Sequence, residues 1–470
     1  MKKVIPKVVL AAVTLLFAGA RQAQAQQRYE LTVKEAVELA FKNVAELKNA
    51  KIDYKLQEAK NREIEGSALP QVSGTAGAQY YMKLPVFLFP DATSTAVYSI
   101  LKDEGVSGAA GPITKIPEPK MQQVSFQQPW NLGVGAGLTQ LLFQPDVFVG
   151  LKARQTALDY SSSMIDQTRE KIKDDAYKKY YAILIGEKQL HFLNEGVKRL
   201  EKLYHDDSVM YKNGFAEKLD LDKVQVQLTN LKTTQNTVRS GIELSYAALK
   251  FALGLSQADT VKLKEELTVA QVKKDILQND FKYEDRPEIR TLNHVKRLQE
   301  LDKKRYQMGN LPTVALAGNY SINAMGQKFF TNDNTLWFKS SYVGLNVNVP
   351  IFDGFQRRQK VNQAQLNVEK VDNTLANAKQ GIDLEQVMTR ESLKNALLNL
   401  DIQERNVGLA ERVYQTTKIK FEQGLGSSFE VLQADNDFQT AQSNFFTALY
   451  NAVVAKVSYL KSLGKLDEKE

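Results

Sequence analysis

Two short glycine-containing stretches interrupt helical sequence patterns: "YKNGFAEKLDLDKV" at 211–224 and "KFEQGLGSSFEVLQAD" at 420–435. In each stretch the helical pattern resumes within a few residues. Gly214 and Gly424 lie 210 positions apart. Glycine adopts positive φ without steric cost, so it can end a helix and let the chain reverse. The stretches therefore predict two helical hairpins, and their matched position predicts a repeated unit.

Other landmarks recur in the same order, which supports the repeat. The matched pairs are Glu46-Leu47 with Glu288-Ile289, Leu69-Pro70 with Leu311-Pro312, Phe143 with Phe352, and Leu253-Gly254 with Leu463-Gly464. The offset falls from 242 to about 210 because the segment 83–129 is far longer than its counterpart 326–338. Such repetition fixes the layout of a chain. It predicts a first repeat at 26–254, a connecting segment at 255–285 beside the long helices, a second repeat at 286–464, and a C-terminal tail at 465–470.

Four segments alternate apolar and polar residues with a period of two, at about 70–82, 130–143, 313–325 and 340–352. In "VGLNVNVPI" the apolar face consists of Val343, Leu345, Val347, Val349 and Ile351. This pattern predicts strands with one apolar and one polar face. Their length suits a tilted strand that crosses a bilayer. A soluble sandwich is the alternative that the pattern alone leaves open.

The remaining sequence predicts long helices. The first opens with the capping box Thr32-x-x-Glu35 and runs to about Glu65, and its counterpart starts at Pro287 and stops near Gly309. A helix from 354 to 423 would be about 100 Å long. Heptads recur at Leu151, Leu158, Ile165 and Ile172; at Leu221, Val224, Leu228 and Leu231; at Val361, Ala364, Val368, Val371, Leu375, Ala378 and Ile382; and from Val431 to Tyr459. Sustained heptads predict coiled-coil packing.

The N-terminus reads as a secretory signal peptide at 1–25. Lysines precede the apolar run "VVLAAVTLLFAGA" (8–20), and Ala23-Gln24-Ala25 forms an A-x-A cleavage site, so the mature chain is expected to start near Gln26. A membrane anchor is the weaker alternative, because the run is too short to span a bilayer.

Composition excludes several classes of function. The chain has no cysteine, so disulfides and thiolate metal sites are impossible. Its three histidines lie far apart, and we expect no metal site and no cofactor. The formal charge of +8 comes from 62 basic and 54 acidic residues, a mixed surface that does not indicate a nucleic-acid partner.

Four strands cannot close a barrel, and hydrocarbon excludes an open sheet edge. Strands in a membrane would therefore require several chains, of which three would give 12 strands and four would give 16. The long helices would then project into the periplasm of a Gram-negative bacterium. We place loop 83–129 outside the cell. Its counterpart holds Trp337, Phe329 and Phe330, which are suited to a lipid interface.

Three segments carry a resemblance to a known family. The opening "LTVKEAVELAFKNVAELKNA", the second-repeat opening "DRPEIRTL" and "FEQGLGSSFEVLQADNDFQTAQSNFFTAL" resemble TolC-type outer-membrane efflux proteins. The resemblance covers nearly the whole mature chain. It implies a mainly α fold with β strands, in which a duplicated unit of two amphipathic strands plus long coiled-coil helices forms a homotrimer. The trimer would be a 12-stranded transmembrane β-barrel continued by a periplasmic α-helical barrel, the exit duct of a tripartite efflux or secretion system.

The same resemblance assigns roles to the two glycine turns. They would form the periplasmic tip that docks an adaptor (membrane fusion protein), which is itself bound to an inner-membrane pump. The implied docking residues are Asn213, Gly214, Phe215, Gly424, Leu425 and Gly426. The alternative is that these residues only close the hairpins. Exposed apolar residues at a turn, here Phe215 and Leu425, favour contact with a partner.

Acidic residues follow each turn and are expected to line a pore constriction: Asp220, Asp222 and Glu430. Rings of carboxylates attract cations. The alternative is an acidic helix N-terminus favoured by the helix dipole. The chain departs from the family pattern, because Gln433 replaces a second acid and Gly426 stands where relatives carry an arginine.

Two stretches that resemble enzymatic motifs are incomplete. "GVGAGL" lacks the third glycine of a dinucleotide loop, and "GLGSS" has Gly426 where a nucleophile elbow needs serine. We therefore expect a channel and not an enzyme. The alternative is a periplasmic coiled-coil adaptor or structural protein without a barrel.

Overall fold

The computed structural model describes residues 27–274, 281–328 and 335–466. The predicted signal peptide at 1–25, the expected start near Gln26, the aromatic residues Phe329 and Phe330, and residues 467–470 of the predicted tail lie outside this range.

The described residues form nine α-helices, ten strands and a 3-10 turn. The helices are α1 (Val33–Asn43), α2 (Ala45–Ser67), α3 (Ala92–Asp103), α4 (Pro145–Lys212), α5 (Lys218–Ala252), α6 (Val269–Lys273), α7 (Pro287–Met308), α8 (Gln356–Glu422) and α9 (Ser428–Ser462). The strands are β1 (Arg28–Leu31), β2 (Gln71–Tyr80), β3 (Phe87–Asp91), β4 (Ser107–Gly108), β5 (Gly111–Pro112), β6 (Lys120–Val124), β7 (Trp130–Phe143), β8 (Thr260–Leu263), β9 (Thr313–Gly326) and β10 (Leu336–Asn348).

The chain divides into two compact units, each built from both halves of the sequence. The helical unit comprises Met1–Glu58, Gln155–Gln299 and Leu366–Glu470. The sheet unit comprises Ala59–Arg154 and Glu300–Gln365. These boundaries cut through long helices and differ from the limits of the predicted repeats. Each predicted repeat therefore contributes residues to both units.

The helical unit packs parts of α4, α5, α8 and α9 around apolar seams. Residues at the predicted heptad positions of α8 and α9 are buried or half-buried, as the repeat of apolar residues requires. The short strands β1 and β8 pair in parallel beside them. Tyr180 is fully buried, and its hydroxyl donates a hydrogen bond to the carbonyl of Leu31 at 2.9 Å. Burial raises the pKa of Tyr180 to about 12.

The predicted first helix is divided by Val44, which is extended at φ −63° and ψ 126°. The capping box of Thr32 and Glu35 forms as expected. Gly254, at φ 66°, approaches the backbone of Asn43 so closely that a Cβ there would lie 2.9 Å from its carbonyl carbon. Gly464 makes the equivalent approach to Asp285, just before α7. The break at Val44 therefore lies at a close junction between Gly254 and Asn43, and the second predicted repeat has an equivalent junction between Gly464 and Asp285.

The sheet unit contains an antiparallel sheet with strand order β10-β9-β7-β2. Opposing residues include Val134 with Ile322 and Leu345 with Leu316. All ten residues of β2 are exposed, and so are all but one residue of β10. Among the described residues, no further strand pairs with either edge of this sheet.

The strands lie close to the expected segments, with two differences. Leu336–Asn348 begins and ends four residues before the predicted segment 340–352, because residues from Leu336 onward pair with β9 and Pro350 lacks the N–H that a ladder needs. Val349 and Ile351 therefore follow the strand. The loop 83–129 contains the hairpin pair β3–β6, helix α3 and the short pair β4–β5.

Among the described residues, no helix combines the length and apolar character needed to cross a membrane.

Candidate functional site at the two helical turns

The first turn joins α4 to α5 through a glycine in the left-handed region. Gly214 has φ 80°. Its N–H donates to the carbonyl of Tyr211 at 3.0 Å, and the N–H of Phe215 donates to Met210 at 2.8 Å. This pair of bonds is the Schellman motif, which satisfies the last carbonyls of a helix. Phe215 remains 80% exposed, so its ring has no role in the helical core.

The second turn, between α8 and α9, has the same backbone. Gly424 has φ 73°, its N–H donates to Phe421 at 2.9 Å, and the N–H of Leu425 donates to Lys420 at 2.9 Å. Leu425 is 76% exposed. The glycine predictions thus correspond to two turns of one geometry, each presenting one apolar side chain to solvent. Gly426 does not have positive φ, and a Cβ there would lie 3.3 Å from the Glu430 carboxylate.

The helices that leave the turns start differently. The Ser427 hydroxyl accepts a hydrogen bond from the Glu430 N–H at 3.3 Å and caps α9. The corresponding residue before α5 is Glu217, which makes no side-chain capping bond. Only the second turn therefore satisfies an exposed helix amide through a side chain.

The two turns lie side by side. Lys223 forms an ion pair with Asp220 at 3.0 Å, and its ammonium nitrogen lies 4.8 Å from the ring centroid of Phe429 in the other hairpin. Asp222 and Glu430 are exposed. No hydrogen bond or ion pair within the described part of the chain joins Glu430 to the acidic residues of the first turn. The structure therefore links Asp220 to the second hairpin through Lys223.

A buried ion pair behind the turns was not anticipated from the sequence. Arg199 of α4 donates to Asp435 of α9 at 2.7 Å, and the Asp435 side chain is 2% exposed. The guanidinium carbon lies 5.4 Å from the ring centroid of Tyr414 and 5.2 Å from that of Phe438. Gln439 also donates to Asp435. Burial raises the pKa of Asp435 more than Arg199 and Gln439 lower it.

Asp207, in the last turns of α4, is a second buried carboxylate. It is 1% exposed, and neither carboxylate oxygen has a hydrogen-bond partner of good geometry among the described residues. Burial raises its pKa, the hydroxyl of Ser428 in α9 opposes that shift, and the negative charges of Asp220 and Asp206 add to it. The only sequence signal for either residue was an acid within an apolar heptad pattern.

Within 27–274, 281–328 and 335–466, no group of three or more His, Asp or Glu side chains is placed to hold a metal ion.

Comparison with known sequences agrees with this architecture. The outer membrane efflux protein family matches residues 290–465. The outer membrane protein TolC of Vibrio cholerae serotype O1 is 19% identical over 351 residues, which are 72% of this chain and 78% of TolC. The outer membrane efflux protein BepC of Brucella suis biovar 1 is 24% identical over 154 residues, 33% of each chain.

Solved structures share the fold across nearly the whole chain. The outer membrane protein VceC from Vibrio cholerae superposes with a TM-score of 0.68 at 14% identity, covering 92% of this chain and 96% of VceC. The CmeC outer membrane channel of Campylobacter jejuni gives 0.68 at 16% identity, covering 93% and 87%. Together with the matched family region, these similarities confirm that the chain resembles the TolC-type outer-membrane efflux proteins.

Proposed function

We propose that this protein is the outer-membrane exit channel of a tripartite efflux or secretion system. Substrates would pass from a periplasmic adaptor and an inner-membrane pump through the channel to the exterior. The observation that carries the proposal is the combination, in one chain, of an open four-stranded sheet and two matched helical hairpins. A periplasmic adaptor without a barrel would have no use for such a sheet.

The open sheet supports assembly into a homotrimer. Its strands have 10 to 14 residues, enough for a tilted strand to cross the hydrocarbon core. Both edge strands carry unpaired backbone groups, which lipid cannot satisfy. Three copies joined edge to edge would pair every strand and form a closed barrel of 12 strands. The exposed apolar residues of β10, such as Val343 and Leu345, would then face lipid.

The helices would continue this barrel into the periplasm. We assign residues 26–254 and 286–464 to the two repeats, 255–285 to a connector beside the helical barrel, and 465–470 to a C-terminal tail. The shared Schellman turns and the shared approaches of Gly254 and Gly464 support this division. The segment 83–129 would project from the outer surface.

The turns would form the periplasmic tip that an adaptor contacts. Docking would use Asn213, Gly214 and Phe215 of the first turn with Gly424, Leu425 and Gly426 of the second. The exposure of Phe215 and Leu425 supports this assignment, because the Schellman motif usually packs its apolar residue back onto the helix. Asp220, Asp222 and Glu430 of three chains would form the acidic constriction, which favours cations.

Conductance tests the channel and its constriction together. The purified full-length chain in a planar bilayer should conduct and prefer cations. The triple variant Asp220→Asn, Asp222→Asn, Glu430→Gln should conduct with lower cation selectivity. A matched variant removes three exposed acids elsewhere on the helices: Glu243→Gln, Glu391→Gln and Glu411→Gln. This variant should retain the original selectivity.

Each result decides a separate part of the proposal. Absence of conductance, together with extraction from membranes by salt alone, would overturn the channel. Conductance with equal selectivity in all three proteins would leave the channel standing and remove the acidic constriction.

A further inference from the structure

A cleft in the helical unit lies beside α4, α5 and α9, away from the turns. Its volume is about 190 Å³. Pockets for drug-sized ligands measure about 300–1,000 Å³, so this cleft suits one ring or a short chain of atoms. The lining is formed by side-chain amides and hydroxyls, together with apolar residues, and includes no charged side chain.

One lining residue offers unpaired polar atoms to the cleft. Gln442 of α9 is only 6% exposed, yet its side-chain amide has no hydrogen-bond partner among the described residues. Its amide atoms are not completely buried, so they are open to the cleft. In contrast, two neighbouring side-chain amides form a hydrogen bond across the cleft, in which Gln227 donates to Asn436 at 3.1 Å. Gln442 therefore offers a donor and an acceptor into the cleft.

The apolar part of the lining is aromatic. Phe192 of α4 and Phe446 of α9 lie with ring centroids 5.4 Å apart. Phe446 is 4% exposed and Phe192 is 41% exposed. The buried ring of Phe446 therefore supports the ring of Phe192, which remains accessible from the cleft. Such a ring can stack on an apolar face of a ligand.

We propose that this cleft binds an uncharged polyhydroxylated ring, a neutral sugar residue. A charged ligand would find no counter-charge in the lining and would lose its hydration. A purely apolar ligand would leave the Gln442 amide unsatisfied. A sugar ring supplies hydroxyls to the amides and C–H groups to Phe192. This role is independent of the export function proposed above.

Binding can be measured by saturation-transfer NMR and calorimetry on the full-length protein in detergent. The probe is N,N′,N″-triacetylchitotriose (hereafter chitotriose), an uncharged trisaccharide of which one ring would enter the cleft, and the comparison ligand is trigalacturonate, which carries three carboxylates. The protein should bind chitotriose and not trigalacturonate. Phe192→Ala and Gln442→Leu should each weaken binding by about tenfold or more, the effect of losing one stacking contact or one hydrogen bond.

The controls separate binding from folding. Gln442→Leu replaces an amide that has no hydrogen-bond partner in the chain with an apolar group of similar size, so its unfolding temperature should not fall. Phe251→Ala and Gln225→Leu alter exposed residues of α5 outside the cleft and should bind as the original protein does. Failure to bind chitotriose, equal binding of the charged ligand, or equal losses in the control variants would overturn the proposal.

The assembled protein offers a further check, because the chain contains no cysteine. Asn230→Cys places a single thiol in the cleft lining. A maleimide should label this thiol in the assembled protein, and chitotriose should slow the reaction. A thiol that reacts only after denaturation would mean that another chain covers the cleft, and the proposal would fail.

Discussion

The two helical turns share one backbone but differ in their surroundings. Both end a long helix in a Schellman motif with an exposed apolar residue. After the first turn, α5 begins without a side-chain cap, and Leu219 and Val226 are 59% and 60% exposed. After the second turn, α9 begins with the Ser427 cap and buries Val431 and Leu432 at once.

Residues at equivalent positions show how the difference arises. Asp435 in α9 is buried against Arg199, whereas its counterpart 210 residues earlier is the exposed Gln225. Asp207 in α4 is buried, whereas its counterpart Thr417 in α8 donates to its own helix at 2.9 Å. The two hairpins thus share the backbone of the turn, and their side chains differ so that the second turn is the more firmly anchored one.

Removing the cation of the buried pair should have the largest effect on this anchoring. Arg199→Met leaves the Asp435 carboxyl buried and without its partner cation, which costs about 3–5 kcal/mol. Guanidinium unfolding of the full-length protein should show this loss. The matched control is Lys198→Met, which breaks an exposed pair with Glu195 and should change stability little. Equal effects of the two variants would show that Asp435 does not anchor α9.

The second largest effect should come from Asp207, with the opposite sign. Asp207→Asn removes a buried negative charge that Asp220 and Asp206 repel and that only the Ser428 hydroxyl opposes among the causes of its raised pKa, so it should stabilise the protein by about 1–3 kcal/mol. The control is Asp206→Asn, a half-buried neighbour, which should change stability by less than about 0.5 kcal/mol.

The pH dependence follows from the raised pKa of Asp207. At a pH well below about 3.9 the carboxyl is protonated in both the folded and the unfolded states. As pH rises, the unfolded state loses this proton first, so stability falls until pH passes the raised folded pKa, and it stays lower above that. Asp207→Asn should remove this fall. An unchanged profile of stability against pH would contradict the assignment.

The sequence predicted the parts of the fold that depend on local pattern. Alternation of apolar and polar residues located the strands, because the two faces of a strand meet different environments. Glycine located both turns, because positive φ is costly for other residues. The burial of Asp435 and Asp207 could not be predicted in this way, since it depends on Arg199 and Ser428, which are more than 200 residues away. Similarly, the break at Val44 lies beside distant Gly254, which approaches the backbone of Asn43.

A smaller effect should come from the glycines themselves. Gly214→Ala and Gly424→Ala should each cost about 1–2 kcal/mol, because an alanine Cβ disfavours the left-handed region. The space around each glycine is open, so the cost is one of backbone conformation alone. The same substitution at Gly241, within α5 and also in open space, should stabilise the protein by about 0.4–1 kcal/mol. Unequal costs at the two turns would show that anchoring also constrains the second turn.

The smallest expected effect on stability comes from the side-chain cap that α9 has and α5 lacks. Ser427→Ala removes the hydroxyl that caps α9 and should cost about 1 kcal/mol. Glu217→Ala, at the equivalent position before α5, should change stability little because Glu217 makes no capping bond. The reverse change, Glu217→Ser, should give α5 the missing cap and slow hydrogen exchange at its first amides. If Glu217→Ser leaves that exchange unchanged, the start of α5 differs from that of α9 in its backbone as well as in its cap.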